Sequence, residues 1–350
     1  MPDLGDLILE DCDRIVERVD LAGLRDQSIL ITGASGLLGL HMIGCFKRLA
    51  QKTGRPVQVA AVTRSGIPDH LASLFRFPGL SLWRGDIADT AFVASLPAAG
   101  CVIHAAGYGQ PGKFLENPVT TIRINTTATA SLLEKVVPGG KALFVSSSEI
   151  YSGSTRTPHR ETDIGTTDPM HPRACYIEGK RCGEAICYAF RQRGCDVKAA
   201  RLALAYGSGT GPTDQRVLNS LIRKALLDGR IALLDQGRAI RTYCHVTDAV
   251  ELLLRILLSG REPVYNVGGH STVTILELAQ AIGRITGVAV TVPEQEQELA
   301  GAPADVALDL SRVRDEFGKN DFVSLESGLE HTIAWQRELY RTLGLLAGTG

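Results

Sequence analysis

Residues 28–32 (SILIT) form a β-branched run that passes at once into Gly33-Ala-Ser-Gly36-Leu-Leu-Gly39 and then into an apolar stretch with helical spacing through Leu49. A strand, a glycine turn and a helix in immediate succession fit few folds. The first glycine permits the tight turn, the second lets backbone approach a pyrophosphate, and the third lets the helix close on the strand. The helix N-terminus then offers its unpaired N–H groups to phosphate. Gly33, Ser35, Gly36, Leu37, Leu38 and Gly39 are therefore candidate contacts for a dinucleotide.

Further strands are expected at 57–62, 80–83, 101–104, 142–145 and 197–204, separated by helical patterns. This alternation predicts an α/β fold: a Rossmann-type doubly wound parallel sheet with a smaller C-terminal α/β substrate region. Residues 1–27 read as an N-terminal helical extension, with an amphipathic helix over 7–24 leaning on the main domain. Residues 28–205 read as the dinucleotide-binding domain, and 206–350 mainly as the substrate region, with returns to the first domain. Residues 117–137 read as one helix that contains Asn125 and turns Leu132, Leu133 and Val136 to the core. With 350 residues, 44% of them hydrophobic, the chain can bury such a core.

The 37 basic and 38 acidic residues leave a net charge of -1, which gives no field to recruit nucleic acid or an anionic membrane. No apolar run approaches the ~18 residues of a membrane span, and the amino terminus is acidic. The eight cysteines include no C-x-x-C pair and read as free thiols in a reducing cytoplasm, with no metal site expected.

The second strand ends in Thr63-Arg64-Ser65, without the carboxylate that usually meets the adenosine ribose. Arg64 stacks on adenine, meets a 2'-phosphate, or is an ordinary surface arginine, so the cofactor is expected to be NAD with NADP possible. Asp86, beside Ile87, accepts from the adenine amino group or caps the next helix. Ala105, Ala106 and Gly107 are small enough for close passage of a cofactor, whereas His104, inside an apolar run, reads as a core histidine. The fifth strand opens into Ser146-Ser147-Ser148-Glu149, a hydroxyl cluster at a strand's C-terminal end, where open α/β sheets place ligands. Tyr176 and Lys180 are four residues apart in a helix-compatible segment and so share a face. An ammonium beside a phenol favours the phenolate, whose ordinary pKa is ~10, and so makes a general base for an alcohol.

Taken together, TGASGLLG, SSSEIY, the Tyr176/Lys180 helix, RTYCHVTD (241–248) and YNVGGHSTVTILELAQAIG (265–283) resemble the extended short-chain dehydrogenase/reductase family acting on nucleotide-linked sugars, over roughly residues 28–340. ACYIEGKR and Ser147-Ser148-Glu149 are similar to the UDP-glucuronate decarboxylases within it; 4-epimerases, 4,6-dehydratases and 4-dehydrogenases are the neighbouring activities. The resemblance implies that Ser147 bonds the sugar C4 hydroxyl and that Tyr176 removes its proton. It also implies that Lys180 holds the nicotinamide ribose and depresses the tyrosine pKa, with Ser148 and Glu149 at C5/C6. Glu149 could equally be structural, ordering its loop. Tyr108, Asn125, Arg216 and Arg241 become candidate substrate contacts, and a homodimer is implied, with Ile186, Tyr188 and Phe190 compatible with its interface. Two positions depart from the family pattern: Leu204 stands where an asparagine touches the diphosphate, and Asp305 where an arginine is usual. Those departures motivate a second expectation, a non-catalytic dinucleotide-binding redox sensor.

Overall fold

The computed structural model describes residues 4–294 and 307–346, so the expectation at Asp305 lies outside the described residues. A seven-stranded, wholly parallel sheet forms the centre. Its first six strands are β1 (Ile29–Thr32), β2 (Val59–Thr63), β3 (Leu80–Arg84), β4 (Ala99–His104), β5 (Val136–Ser147) and β6 (Asp196–Leu202). Then come β7 (Leu204–Tyr206), β8 (Arg230–Ala232), β9 (Ile240–His245), β10 (Val264–Val267), β11 (Ser271–Thr274) and β12 (Ala289–Thr291). The order across the large sheet is β10-β6-β5-β4-β1-β2-β3. Chain order thus runs outward both ways from β1, and the carboxyl ends of β1 and β4 flank the switch point at which open α/β sheets bind ligands.

The helices are α1 (Leu4–Arg18), α2 (Leu37–Thr53), α3 (Thr90–Ser95), α4 (Pro111–Glu116), α5 (Pro118–Asn125), α6 (Thr127–Leu133), α7 (Ala174–Gln192), α8 (Val217–Arg223), α9 (Val246–Ser259), α10 (Ile275–Thr286), α11 (Ser311–Phe317) and α12 (Leu325–Thr342). The N-terminal helix is shorter than expected, but Leu4, Ile8, Leu9, Cys12 and Ile15 join the main core with Leu40 and Ile43 of α2 and Leu253 of α9. Residues 117–137 are not one helix. The run of Thr and Asn side chains bonds back to carbonyls, Thr121 to Asn117, Asn125 to Thr121, Thr126 to Ile122, and the helix breaks at Thr126 before resuming as α6. Such local bonds compete with the helix ladder. Leu132 and Leu133 are buried as expected, whereas Val136 already belongs to β5.

The C-terminal part makes two small sheets, β11-β9-β7 and β12-β8, over a separate core of Leu218, Ile222, Leu278, Ile282, Leu329 and Ile333. β10 returns to pair with β6 in the large sheet. On α7, Ile186 and Phe190 pack inward beside Phe144 and Cys187, so of the three expected interface positions only Tyr188 faces outward. No helix among the described residues is long and apolar enough to cross a membrane.

Candidate active site

A cavity of about 530 Å³ opens at the carboxyl ends of β1 and β4 and runs from the glycine turn to the start of α7. Its dinucleotide end is shaped by missing side chains. Gly33 has φ 75°, and a Cβ there would lie 2.7 Å from the Ala105 carbonyl oxygen. A Cβ on Gly39 would overlap the Gly33 carbonyl, which is how α2 closes against β1. Gly36 precedes α2 with extended backbone and no side-chain cap, so the first N–H groups of the helix remain for a ligand at the wall that Leu37 and Leu38 line. These features fit a dinucleotide phosphate.

Gly33, Ser35, Gly36, Leu37, Leu38, Gly39, Arg64, Asp86, Ile87, Ala105, Ala106, Gly107 and Tyr108 all line this cavity. Arg64 is turned onto the protein itself: its Nη1 donates to the Tyr108 hydroxyl at 2.5 Å, and the guanidinium lies 5.1 Å from that ring's centre. Asp86 accepts from the Ala88 N–H at 2.9 Å, but the cap of α3 is Asp89, which accepts from Ala91. His104 is a core residue, with its ring nitrogens 2.8 Å from Thr32 Oγ1 and 3.0 Å from the Ile124 carbonyl. Burial pushes its pKa down to about 3, so it is neutral.

The opposite end is made of side chains. Ser147, Ser148, Glu149, Tyr176, Lys180 and Arg216 line it, brought together from the end of β5, the short 3-10 turn that follows it (Ser148–Tyr151), α7 and the residue before α8. The Tyr176 ring stacks on Phe114 of α4 at 4.7 Å and 10°. The Tyr176 pKa is raised to about 12, chiefly by burial and then by the Glu149 charge, while a hydrogen bond from Ser147 and the charges of Arg173 and Arg216 oppose the rise. Lys180 lies buried with Nζ 5.8 Å from the Tyr176 ring centre and donates to the Val145 carbonyl at 2.7 Å. Its pKa falls from 10.5 to about 7 by burial, offset in part by Glu184. The expectation that Lys180 depresses the phenol's pKa is therefore corrected for the protein alone: desolvation outweighs every neighbouring charge, and the ammonium is itself weakened. Glu149 is raised by burial too, with Arg173 and then Arg241 opposing.

Two expected substrate contacts fall elsewhere. Asn125 is fully buried where α5 meets α7, its amide donating to the Thr121 carbonyl. Arg241 lies on β9 off the wall and donates to the Ile240 carbonyl, though its charge reaches Glu149. Arg216 is at the wall but forms a fork with Asp214, with contacts of 2.6 to 3.1 Å, and donates to the Ala205 carbonyl. Leu204 is on the wall and 38% exposed, a hydrocarbon face where the family pattern has an amide.

Phe114, Arg173 and Asp214 were not singled out from sequence. Pro111 at the first helical position was the available signal for α4, the helix that carries Phe114. Arg173 has no periodicity to mark it, because it precedes the first turn of α7. No group of three or more His, Cys, Asp or Glu among the described residues could hold a metal. A phenol, a hydroxyl and a carboxylate beside a buried lysine can move protons to and from an alcohol placed next to a dinucleotide.

Fold and site together define a dinucleotide-dependent enzyme of the extended short-chain dehydrogenase/reductase type. Residues 29–268 match the NAD dependent epimerase/dehydratase family, and the chain belongs to that family, whose members modify nucleotide sugars with NAD. Its cofactor is NAD. It is 29% identical to UDP-glucuronic acid decarboxylase 6 of Arabidopsis thaliana over 304 residues, 86% of each chain. It is 30% identical to a dTDP-4-dehydro-6-deoxy-D-allose reductase of a Streptomyces species, covering 89% of this chain and 96% of that one. Among solved structures, MoeE5 in complex with UDP-glucuronic acid and NAD superposes with a TM-score of 0.72 at 26% identity, covering 89% and 99% of the two chains.

Proposed function

We propose that this protein oxidises C4 of a nucleotide-linked hexuronic acid and releases its carboxyl group as carbon dioxide. The observation that carries the reading is the grouping of Ser147, Glu149, Tyr176 and Lys180 at the end of the cavity away from the glycine turn. Glu149 is already paired with Arg173, and the charge of Arg241 also reaches it, so the field at this end of the cavity suits a sugar bearing its own carboxylate. The similarity to UDP-glucuronic acid decarboxylases and to MoeE5 supports the same substrate class.

Ser147 holds the C4 hydroxyl and Tyr176 takes its proton. NAD held at the glycine turn would supply a hydride acceptor for C4 and the source of its return. With C4 a ketone, the C5 carboxylate belongs to a β-keto acid. Its C5–C6 bond breaks, the electron pair passes into the C4 carbonyl system, carbon dioxide leaves and C5 takes a proton. Ser148 and Glu149 stand beside those atoms, and Lys180 positions the nicotinamide ribose. Product mass after incubation with UDP-, GDP-, CDP- and dTDP-sugars tests the proposal. Loss of carbon dioxide supports it; loss of water, or an unchanged mass with an altered C4, would assign a 4,6-dehydratase or a 4-epimerase instead. Silence on every sugar would favour the redox sensor.

A homodimer is proposed on the same footing. Val119 and Ile122 of α5 and Tyr188 of α7 are exposed on two helices that pack side by side. Sedimentation as a monomer would refute it.

A further inference from the structure

Arg173 is placed by four contacts. Its guanidinium pairs with Glu149, and it lies 5.6 Å from the centre of the Phe114 ring. Its carbonyl accepts from the Tyr176 N–H at 3.0 Å and from the Ile177 N–H at 3.1 Å, so its backbone is the entry to α7. Its side chain is only 17% exposed, and Phe114, fully buried, also stacks on Tyr176. Arg173 does not line the cavity, whereas Glu149 does. The guanidinium thus stands behind the carboxylate, on the ring that also supports the phenol.

A surface ion pair would need neither this burial nor the aromatic support, and would contribute little. Here a flat cation fits between a carboxylate and an aromatic face, an arrangement for which lysine is a poor substitute. The Arg173 Nε is buried with no hydrogen-bond partner, a cost accepted at a position where packing decides the geometry. The neighbouring charges are otherwise committed or more distant. Arg216 is forked to Asp214, and Arg241 bears on Glu149 after Arg173. Tyr176 is faced by Glu149, Ser147, Arg173, Arg216 and Lys180, and Glu149 by Arg173, Arg241 and Tyr176.

We propose that Arg173 is a positioning residue: pinned over Phe114, it orients the Glu149 carboxylate at the cavity wall and offsets its charge at the Tyr176 hydroxyl. The proposal deepens the reading of Glu149 and Tyr176 given above and rests on it for its catalytic consequence. Loss of the guanidinium leaves Glu149 in a desolvated site with weaker compensation, so the carboxyl takes up its proton at higher pH. Any Glu149 that stays ionised then bears on Tyr176 without its counter-charge.

The test is an infrared pH titration of the NAD-loaded protein, with Glu149→Gln as the spectral blank, on wild type, Arg173→Gln and Arg173→Lys. The Glu149 protonation midpoint is expected to rise by about 1 to 3 in pH in Arg173→Gln, the size of a close opposite charge, and to return partway in Arg173→Lys. The acidic limb of the kcat profile moves upward with it, KM changes little, and the limb no longer responds to Arg173→Gln in a Glu149→Gln background. An unmoved Glu149 midpoint overturns the proposal, as does a kcat lowered equally at every pH or a limb shift that persists without Glu149. If Arg173→Gln does not fold, the comparison of Arg173→Lys with wild type decides on the same criteria. The titration needs no turnover, so an enzyme inactive on every nucleotide sugar refutes the functional reading while the role of Arg173 is still decided.

Discussion

At the glycine turn the cavity wall is backbone: Gly33 and Gly39 leave room for carbonyls, and the first turn of α2 presents N–H groups. At the other end the wall is side chains, with Glu149 from the turn after β5, Tyr176 and Lys180 from α7, and Phe114 of α4 stacked on Tyr176. One end is specified by what cannot be there, so any added atom damages it. The other is specified by charge and stacking among distant segments, so its parts can be removed singly while the fold stands. Substitutions at the catalytic end should therefore change rate and pH dependence, and those at the turn should change cofactor binding and stability together.

The largest expected effect is at Tyr176. Tyr176→Phe keeps the ring that stacks on Phe114 and removes the hydroxyl, so kcat should fall by about 10² to 10⁴ while NAD affinity and melting temperature hold. Calorimetric NAD binding alongside turnover checks both halves. Gly39→Ala comes next and does the opposite. Its methyl meets the Gly33 carbonyl, and overpacking of this kind costs about 1 to 3 kcal/mol, seen as a lower denaturant midpoint together with weakened NAD binding. A Gly39→Ala protein that melts and binds NAD normally would break the distinction between the two ends.

How far each end could be read from sequence follows from the same difference. The turn is contiguous, so SILITGASGLLG displayed strand, glycines and helix in one line, and the positions of the next five strands followed from their alternation with helices, but not the return of β10 to the sheet. At the side-chain end, Ser147, Tyr176 and Lys180 were legible as cavity-lining residues because hydroxyls at a strand end and a Tyr/Lys pair at i, i+4 are local patterns, whereas Glu149 came from the family resemblance. Arg173 and Phe114 were not legible, since their importance lies in an ion pair and a stack across segments separated by many residues. Asn125 and Arg241 do not line the cavity, because packing turns these polar side chains into a helix contact and onto a strand carbonyl, which residue type alone does not show. The single helix read at 117–137 failed where Thr and Asn side chains competed for backbone carbonyls. The upward shift of Tyr176 was not legible, because the spacing of a lysine says nothing of how deeply both groups are buried.

Lys180 offers a smaller test that needs no substrate. Its pKa lies near 7 in the fold against an ordinary 10.5, so between those values the unfolded chain holds a proton that the native protein does not. Stability must then rise with pH across that window relative to Lys180→Met, which has nothing to titrate. Denaturant midpoints of the two proteins at several pH values check it, and a constant difference would contradict it. The smallest expected change is at the hydrocarbon wall. Leu204→Asn restores an amide to the cavity, and one new hydrogen bond of about 1 kcal/mol should tighten nucleoside diphosphate binding roughly fivefold without altering NAD affinity.

The most direct measurement of the central claim is turnover of a nucleotide-linked hexuronic acid deuterated at C4, with the product read by mass and magnetic resonance. Oxidation at C4 with hydride returned to the same carbon predicts slowed turnover, product that has lost carbon dioxide, and deuterium retained at C4. Turnover at an undiminished rate that yields product without deuterium would contradict the account.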